Sequence, residues 1–346
     1  MLSLLAAILV FGLIILFHEF GHFLLAKRGG ICVVEFSLGM GPRLFSMVKG
    51  GTRYSLKLFP FGGSCMMLGE DEDLSDDDRD ERAGKNIAGK AAYGEDEFKD
   101  TKAASHKEAE QTRSYAGVEL APGATGVTFN ETSVWTRFLV IAAGPVFNFI
   151  LAFVCAFFVI SYVGYDPAEV YSVVEGYPAA EAGIEPVYSA ENGSYMMGIS
   201  GGVYKKPESV FVTAKYSAYE LRYWINLTFK SLGMIVKRQV KTDDIAGPVR
   251  IVSMIDSTVR ESSEYGLMVV LVNLANMCVL LSANLGIMNL LPIPALDGGR
   301  LVFIILEALR GRPIDREKEG MIHMAGMAVL MVLMVFILFN DIRNML

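Results

Sequence analysis

Cysteine is scarce and unpaired. The chain has four cysteines in 346 residues, Cys32, Cys65, Cys155 and Cys278, and none is spaced as a pair. That spacing suggests neither a disulfide framework nor a cysteine zinc site. No basic stripe with interleaved aromatics occurs, so nucleic acid is excluded as a partner. The apolar amino-terminal stretch lacks the basic n-region and small-residue cleavage site of a secretory signal, and it reads as retained. Balanced charge is missing too. The formal charge of −7 has a local source, the run from Glu70 to Glu81, with nine carboxylates against Arg79. Such a run reads as a solvated stretch.

Apolar residues, in contrast, make up 52% of the chain. They gather in four segments, about 2–26, 138–163, 266–291 and 322–339. Each is long enough to cross a hydrocarbon core of about 30 Å. The fold class is therefore a multi-pass α-helical membrane protein with soluble parts. Basic residues set its orientation. Lys27 and Arg28 follow the first segment, Arg137 precedes the second, and Arg300, Arg310, Arg312, Arg316 and Lys318 lie between the third and fourth. The positive-inside rule puts these loops in the cytoplasm and both termini, with residues 164–265, outside.

The first segment ends in His18-Glu19-Phe20-Gly21-His22. On a helix, residues i and i+4 share a face, so both imidazoles can bind one metal ion. Glu19 is placed to reach a water on that metal. Ionisable side chains are costly in hydrocarbon and default to a functional reading. An interfacial helix end would account for polar residues here but has no need of this spacing. The third segment ends in Asn289-Leu290-Leu291-Pro292-Ile293-Pro294-Ala295-Leu296-Asp297-Gly298-Gly299-Arg300. Two prolines stop a helix and two glycines free the chain for a turn. Asp297 is then presented from irregular backbone on the same side of the membrane as His18 and His22. Alone it would read as a turn or helix-capping residue. A zinc site that does chemistry takes three protein ligands and keeps a fourth position open, and His18, His22 and Asp297 meet that count.

Other stretches leave alternatives open. Residues 31–67 alternate weakly and are punctuated by Gly39, Gly41, Gly50, Gly51, Gly62 and Gly63, with short strands at 36–41 and 54–63. A sheet dipping toward the metal and a small cytosolic hairpin both fit. Residues 71–128 read as an inserted, largely disordered linker in which His106 is a surface histidine. His323 reads as interfacial rather than as a ligand. Ala143-Gly144-Pro145 suits close helix packing, and Asn148 suits a polar contact between helices. Residues 173–184 suggest a strand, a turn and a short helix. Residues 218–236 suit an amphipathic interfacial helix; Glu220, Arg222, Asn226 and Lys230 weigh against a fifth span.

Taken in order, these pieces resemble the site-2 protease family of intramembrane zinc metalloproteases, of the bacterial regulator-of-sigma-factor type. The resemblance rests on His18–His22, Leu58-Phe59-Pro60-Phe61-Gly62-Gly63 with Gly69-Glu70-Asp71-Glu72, Ala143-Gly144-Pro145 with Asn148, Ala246-Gly247-Pro248-Val249 and the Asn289 to Gly299 motif. It implies zinc held by His18, His22 and Asp297, Glu19 as general base, and Asn289 holding the substrate or transition state. It also implies a membrane-re-entrant β-hairpin, single-pass membrane substrates such as anti-sigma factors and signal-peptide remnants, and residence in a bacterial cytoplasmic membrane. Residues 73–128 exceed the family's usual link at this point. The Gly176-Tyr177-Pro178 to Gly183 stretch matches only part of a PDZ domain.

The expected organisation is a first transmembrane helix (1–30), a re-entrant β-rich loop (31–72), the polar insertion (73–128) and a second helix (129–165). A partial PDZ-like region (166–217), an interfacial helix with linker (218–265), a third helix (266–300), a cytoplasmic loop (301–321) and a fourth helix (322–346) follow. The rivals are a membrane zinc peptidase acting on soluble peptides and a non-catalytic membrane scaffold. Metal content and a Glu19→Gln variant separate the three.

Overall fold

Among the described residues of the computed structural model, four helices are long and apolar enough to cross a membrane, over Leu5–Arg28, Val134–Val163, Leu267–Leu290 and Glu317–Arg343. The structure describes residues 2–70, 114–115, 118–166, 172–173, 187–189, 194–196, 199–200, 204–240 and 246–345. Its helices are α1 (Leu2–Arg28), α2 (Val134–Val163), α3 (Val210–Val236), α4 (Pro248–Ser263), α5 (Leu267–Leu290), α6 (Asp297–Arg310) and α7 (Arg316–Met345). Its strands are β1 (Val33–Lys49), β2 (Thr52–Met67), β3 (Ser114–Tyr115), β4 (Val118–Glu119), β5 (Ser172–Val173), β6 (Val187–Ser189), β7 (Ser194–Met196) and β8 (Ile199–Ser200).

Helices α1, α2 and α5 pack together. Val10 and Ile14 of α1 meet Leu151 of α2 and Cys278 of α5. Small residues bring α2 and α5 close, through Ala152, Ala156, Val279 and Ala283. Gly286 continues this seam, because a Cβ there would stand 2.8 Å from the Phe149 ring. Between apolar helices in lipid, such close packing replaces the hydrophobic drive available in water. Helix α4 lies against Ala7 of α1 and Val270 of α5 through Ile255 and Val259. Sequence reading leaves α4 inside a linker. Gly247 and Pro248 in fact start it, with proline in the first turn where its missing N–H costs nothing.

The stretch after α1 forms a sheet from β1 and β2, joined at Gly50 and Gly51, both with positive φ. Both strands bend back on themselves. Phe36, Ser37 and Leu38 pair with Cys65, Ser64 and Gly63 on one side and with Tyr54, Ser55 and Leu56 on the other. Gly39 and Gly41, each at φ 88°, allow the bend in β1. Residues 63–67 form an edge that lies against α1: a Cβ on Gly63 would sit 2.9 Å from both Glu19 and Ile15. The buried Glu35 carboxylate binds Arg43 twice, at 2.9 and 3.0 Å, with Lys57 3.8 Å away. Burial alone would raise its pKa, but the two cations lower it to about 2.

The expected disordered insertion covers more chain than the structure supports. Residues 71–113, His106 included, lie outside the described residues, but 120–128 are ordered against the base of the sheet. Val127 bonds the backbone of Gly30 and Cys32, and Leu120 and Ala124 pack on Cys32, Val34 and Leu68. Apolar partners far away in sequence explain why local composition hides this contact. Most of residues 167–203 in the PDZ-like stretch also lie outside the described residues; what is described there is β5 paired with β8 and β6 with β7, both antiparallel, and the end of the stretch, Val210–Ser217, is already part of α3.

Candidate metal centre

His18 and His22 occupy one face of α1, and their ring centroids are 4.8 Å apart. Asp297 arrives from α6. Contrary to the sequence expectation it is not on irregular backbone but is the first residue of that helix, with Leu296 as the capping position. The prolines and glycines reverse the chain after α5, and the glycines make the reversal tight. A Cβ on Gly298 would be 2.1 Å from the Leu291 carbonyl oxygen, and one on Gly299 would be 2.4 Å from that of Ile293.

Three ligand atoms converge. Nε2 of His18 and Nε2 of His22 are 3.2 Å apart. Oδ2 of Asp297 is 3.1 Å from the first and 3.5 Å from the second. Tetrahedral bonds of 2.0–2.1 Å to one zinc would separate neighbouring ligand atoms by about 3.3 Å. The three observed edges bracket that value. Among the described residues, no hydrogen-bond donor is aligned on the buried Asp297 Oδ2. Two imidazole lone pairs and a carboxylate oxygen turned toward one point fit a divalent cation, and His18, His22 and Asp297 are the one group of ligand type found among the described residues.

Helix α2 supplies what orients the rings. Nδ1 of His22 donates to the Val140 carbonyl oxygen at 2.8 Å, which leaves the Nε2 lone pair for a metal. The fully buried Asn148 amide meets Nδ1 of His18 at 3.1 Å. Its oxygen, buried without a hydrogen-bond partner among the described residues, gains one when it faces the ring and accepts the Nδ1–H. Gly144 gives the rings their room, since a Cβ there would fall 2.3 Å from His22 Nε2 and 2.7 Å from His18 Cε1. Sequence reading assigns Asn148 and Gly144 to helix packing; their partners lie more than one hundred positions away.

Glu19 lies one residue beyond His18 and turns toward the sheet edge, where a Cβ on Gly63 would sit 2.9 Å from its side chain. Asn289, at the end of α5, brings Nδ2 within 3.5 Å of the His18 ring nitrogens. The structure thus gathers all five expected site residues between α1, the edge at 63–67, and the α5–α6 reversal. Ion pairs brace the surround: Arg137 of α2 binds Glu307 of α6 at 2.9 and 2.6 Å, and Arg300 binds Glu70.

A model of peptidase family M50 matches residues 6–333. The chain belongs to that family. This M50 peptidase is 30% identical to the zinc metalloprotease RasP of Bacillus licheniformis, the match covering 99% of each chain. It is 31% identical to the regulator of sigma-W protease RasP of Bacillus subtilis, again over 99% of both. The RasP of Geobacillus kaustophilus is 30% identical over 99% of this chain and 98% of its own length. The first alignment runs over 423 residues, against 346 in this M50 peptidase, so the relative carries stretches without a counterpart here.

Proposed function

We propose that this M50 peptidase hydrolyses peptide bonds within or beside the membrane segments of single-span proteins, with His18, His22 and Asp297 holding its zinc. The observation that carries the reading is the triangle of ligand atoms set between helices long and apolar enough to span a bilayer. Zinc, when bound, acts as a Lewis acid toward the scissile carbonyl and toward water. Glu19 takes a proton from the attacking water and returns it to the leaving amine. Asn289 donates to the oxygen on which charge develops.

A helical substrate hides its scissile carbonyls and must be held extended. The edge at 63–67, beside Glu19, can add a strand. The sheet carries exposed Met40, Leu44, Phe45, Leu58 and Phe59. So large an apolar surface supports a sheet that re-enters the bilayer beside the helices. On this reading the extracytoplasmic stretch is a reduced PDZ-like region. Both termini face outward from a bacterial cytoplasmic membrane. Anti-sigma factors and signal-peptide remnants are the substrates this reading favours.

Zinc analysis of the full chain in detergent tests the ligand set. One zinc per chain is expected, with occupancy lost in His22→Ala and Asp297→Ala. Full occupancy in either variant would contradict the assignment.

A further inference from the structure

His323 is not a ligand, nor is it only an interfacial residue. It sits in the second turn of α7, and its Nδ1 accepts a hydrogen bond from the Ala295 backbone N–H at 2.9 Å. Ala295 has φ 76°, in the left-handed region, one of two non-glycine residues there among those described. A side chain in that conformation is strained and persists only where its surroundings hold it. Two residues on comes Asp297. The same turn of α7 presses the loop from below: a Cβ on Gly326 would lie 2.4 Å from Pro294 Cβ and 2.8 Å from its carbonyl oxygen. The His323 ring also packs against Phe303 of α6, with centroids 5.5 Å apart.

These contacts are made by a helix that otherwise touches little among the described residues. None of the most apolar stretch of α7 is buried. Its second anchor is at the far end, where the fully buried Asp341 accepts from the N–H groups of Gly247 and Arg250, each at 3.1 Å, and so caps α4. A helix pinned at one end by a cap and at the other by His323 is a strut.

We propose that His323 is a positioning residue for the metal centre: by holding Ala295 in its left-handed turn, it aims the Asp297 carboxylate at the two imidazoles. The proposal rests on Asp297 being a zinc ligand. Groups that orient a ligand from outside the coordination sphere typically govern metal affinity by about 10–100-fold. Loss of the acceptor lets Ala295 relax toward an ordinary conformation, which swings the start of α6 away from α1.

The test is zinc affinity by competition with a chelator, on the full chain in detergent, for wild type, Asp297→Ala, His323→Ala, His323→Asn and His323→Ala with Ala295→Gly. Asp297→Ala should lose zinc. His323→Ala should weaken binding by about 10–100-fold. His323→Asn keeps an acceptor and should restore most of the affinity. Ala295→Gly removes the strain, because glycine adopts positive φ freely, and should restore part of it. Hydrogen exchange of the metal-free wild type should show a protected Ala295 amide, which needs no variant to fold. Wild-type affinity in His323→Ala, or a freely exchanging Ala295 amide, would overturn the proposal. Wild-type affinity in Asp297→Ala would instead overturn the ligand assignment beneath it.

Discussion

At the scale of single residues, the site is made by groups that fix one another. Each histidine has one nitrogen turned to the metal position and the other fixed by α2, His22 through the Val140 carbonyl and His18 through the Asn148 amide. Asn148→Leu keeps a similar volume but removes the carboxamide. It should lower zinc affinity by about 10–100-fold while the helices remain assembled, as read by chelator competition beside a thermal melt. Unchanged affinity would reduce Asn148 to a packing residue. The H-E-x-x-H spacing was legible because it is local and periodic. The orienting groups were not: an asparagine and a glycine in a membrane helix look the same whether they face a neighbouring helix or a metal site. The decisive partner of Asn148 is 130 positions away. His323 reads as interfacial for the same reason, since the strained loop it meets lies 28 positions away.

At the scale of elements, the sheet and its insertion separate into parts of different weight. The buried Glu35 with Arg43 and Lys57 stiffens the sheet near the Gly39 bend. Its pKa falls from 4.5 to about 2 on folding. A lowered carboxylate stabilises the fold above the unfolded value, and that contribution fades as pH drops through the folded one. The difference in unfolding midpoint between wild type and Glu35→Gln should therefore be full at about pH 6 and shrink below about pH 4. A difference independent of pH would show that the carboxylate charge is not what matters. Residues 120–128 pack against Gly30, Cys32 and Leu68, so they belong to the sheet, not to the polar insertion. Replacing residues 73–113 with a short linker, leaving 120–128 intact, should preserve zinc binding and cleavage, because loop-closure cost changes slowly with length. A shortened chain that binds zinc and fails to cleave would assign the insertion a role in recruiting substrate. The four apolar spans were legible from hydropathy alone. Helix α4 was not, because its polar exposed face and buried Ile255 and Val259 make too short a pattern between two longer elements.

At the scale of the whole molecule, two distant sequence motifs form one centre because α1, α2 and α5 pack through small residues and the proline–glycine reversal after α5 brings Asp297 back to α1. Helix α7 closes the arrangement by bracing that reversal and capping α4. Chemistry at membrane depth is the central claim, and a cleavage assay in lipid tests it most directly. The full chain and a single-span substrate are reconstituted together, and the products are mapped by mass spectrometry for wild type and Glu19→Gln. Wild type should cut within or immediately beside the membrane segment. Glu19→Gln should keep its zinc and lose about 10²–10⁴-fold in rate, the usual worth of a general base. Near-normal turnover by Glu19→Gln, or cuts confined to the soluble part of the substrate, would contradict the account.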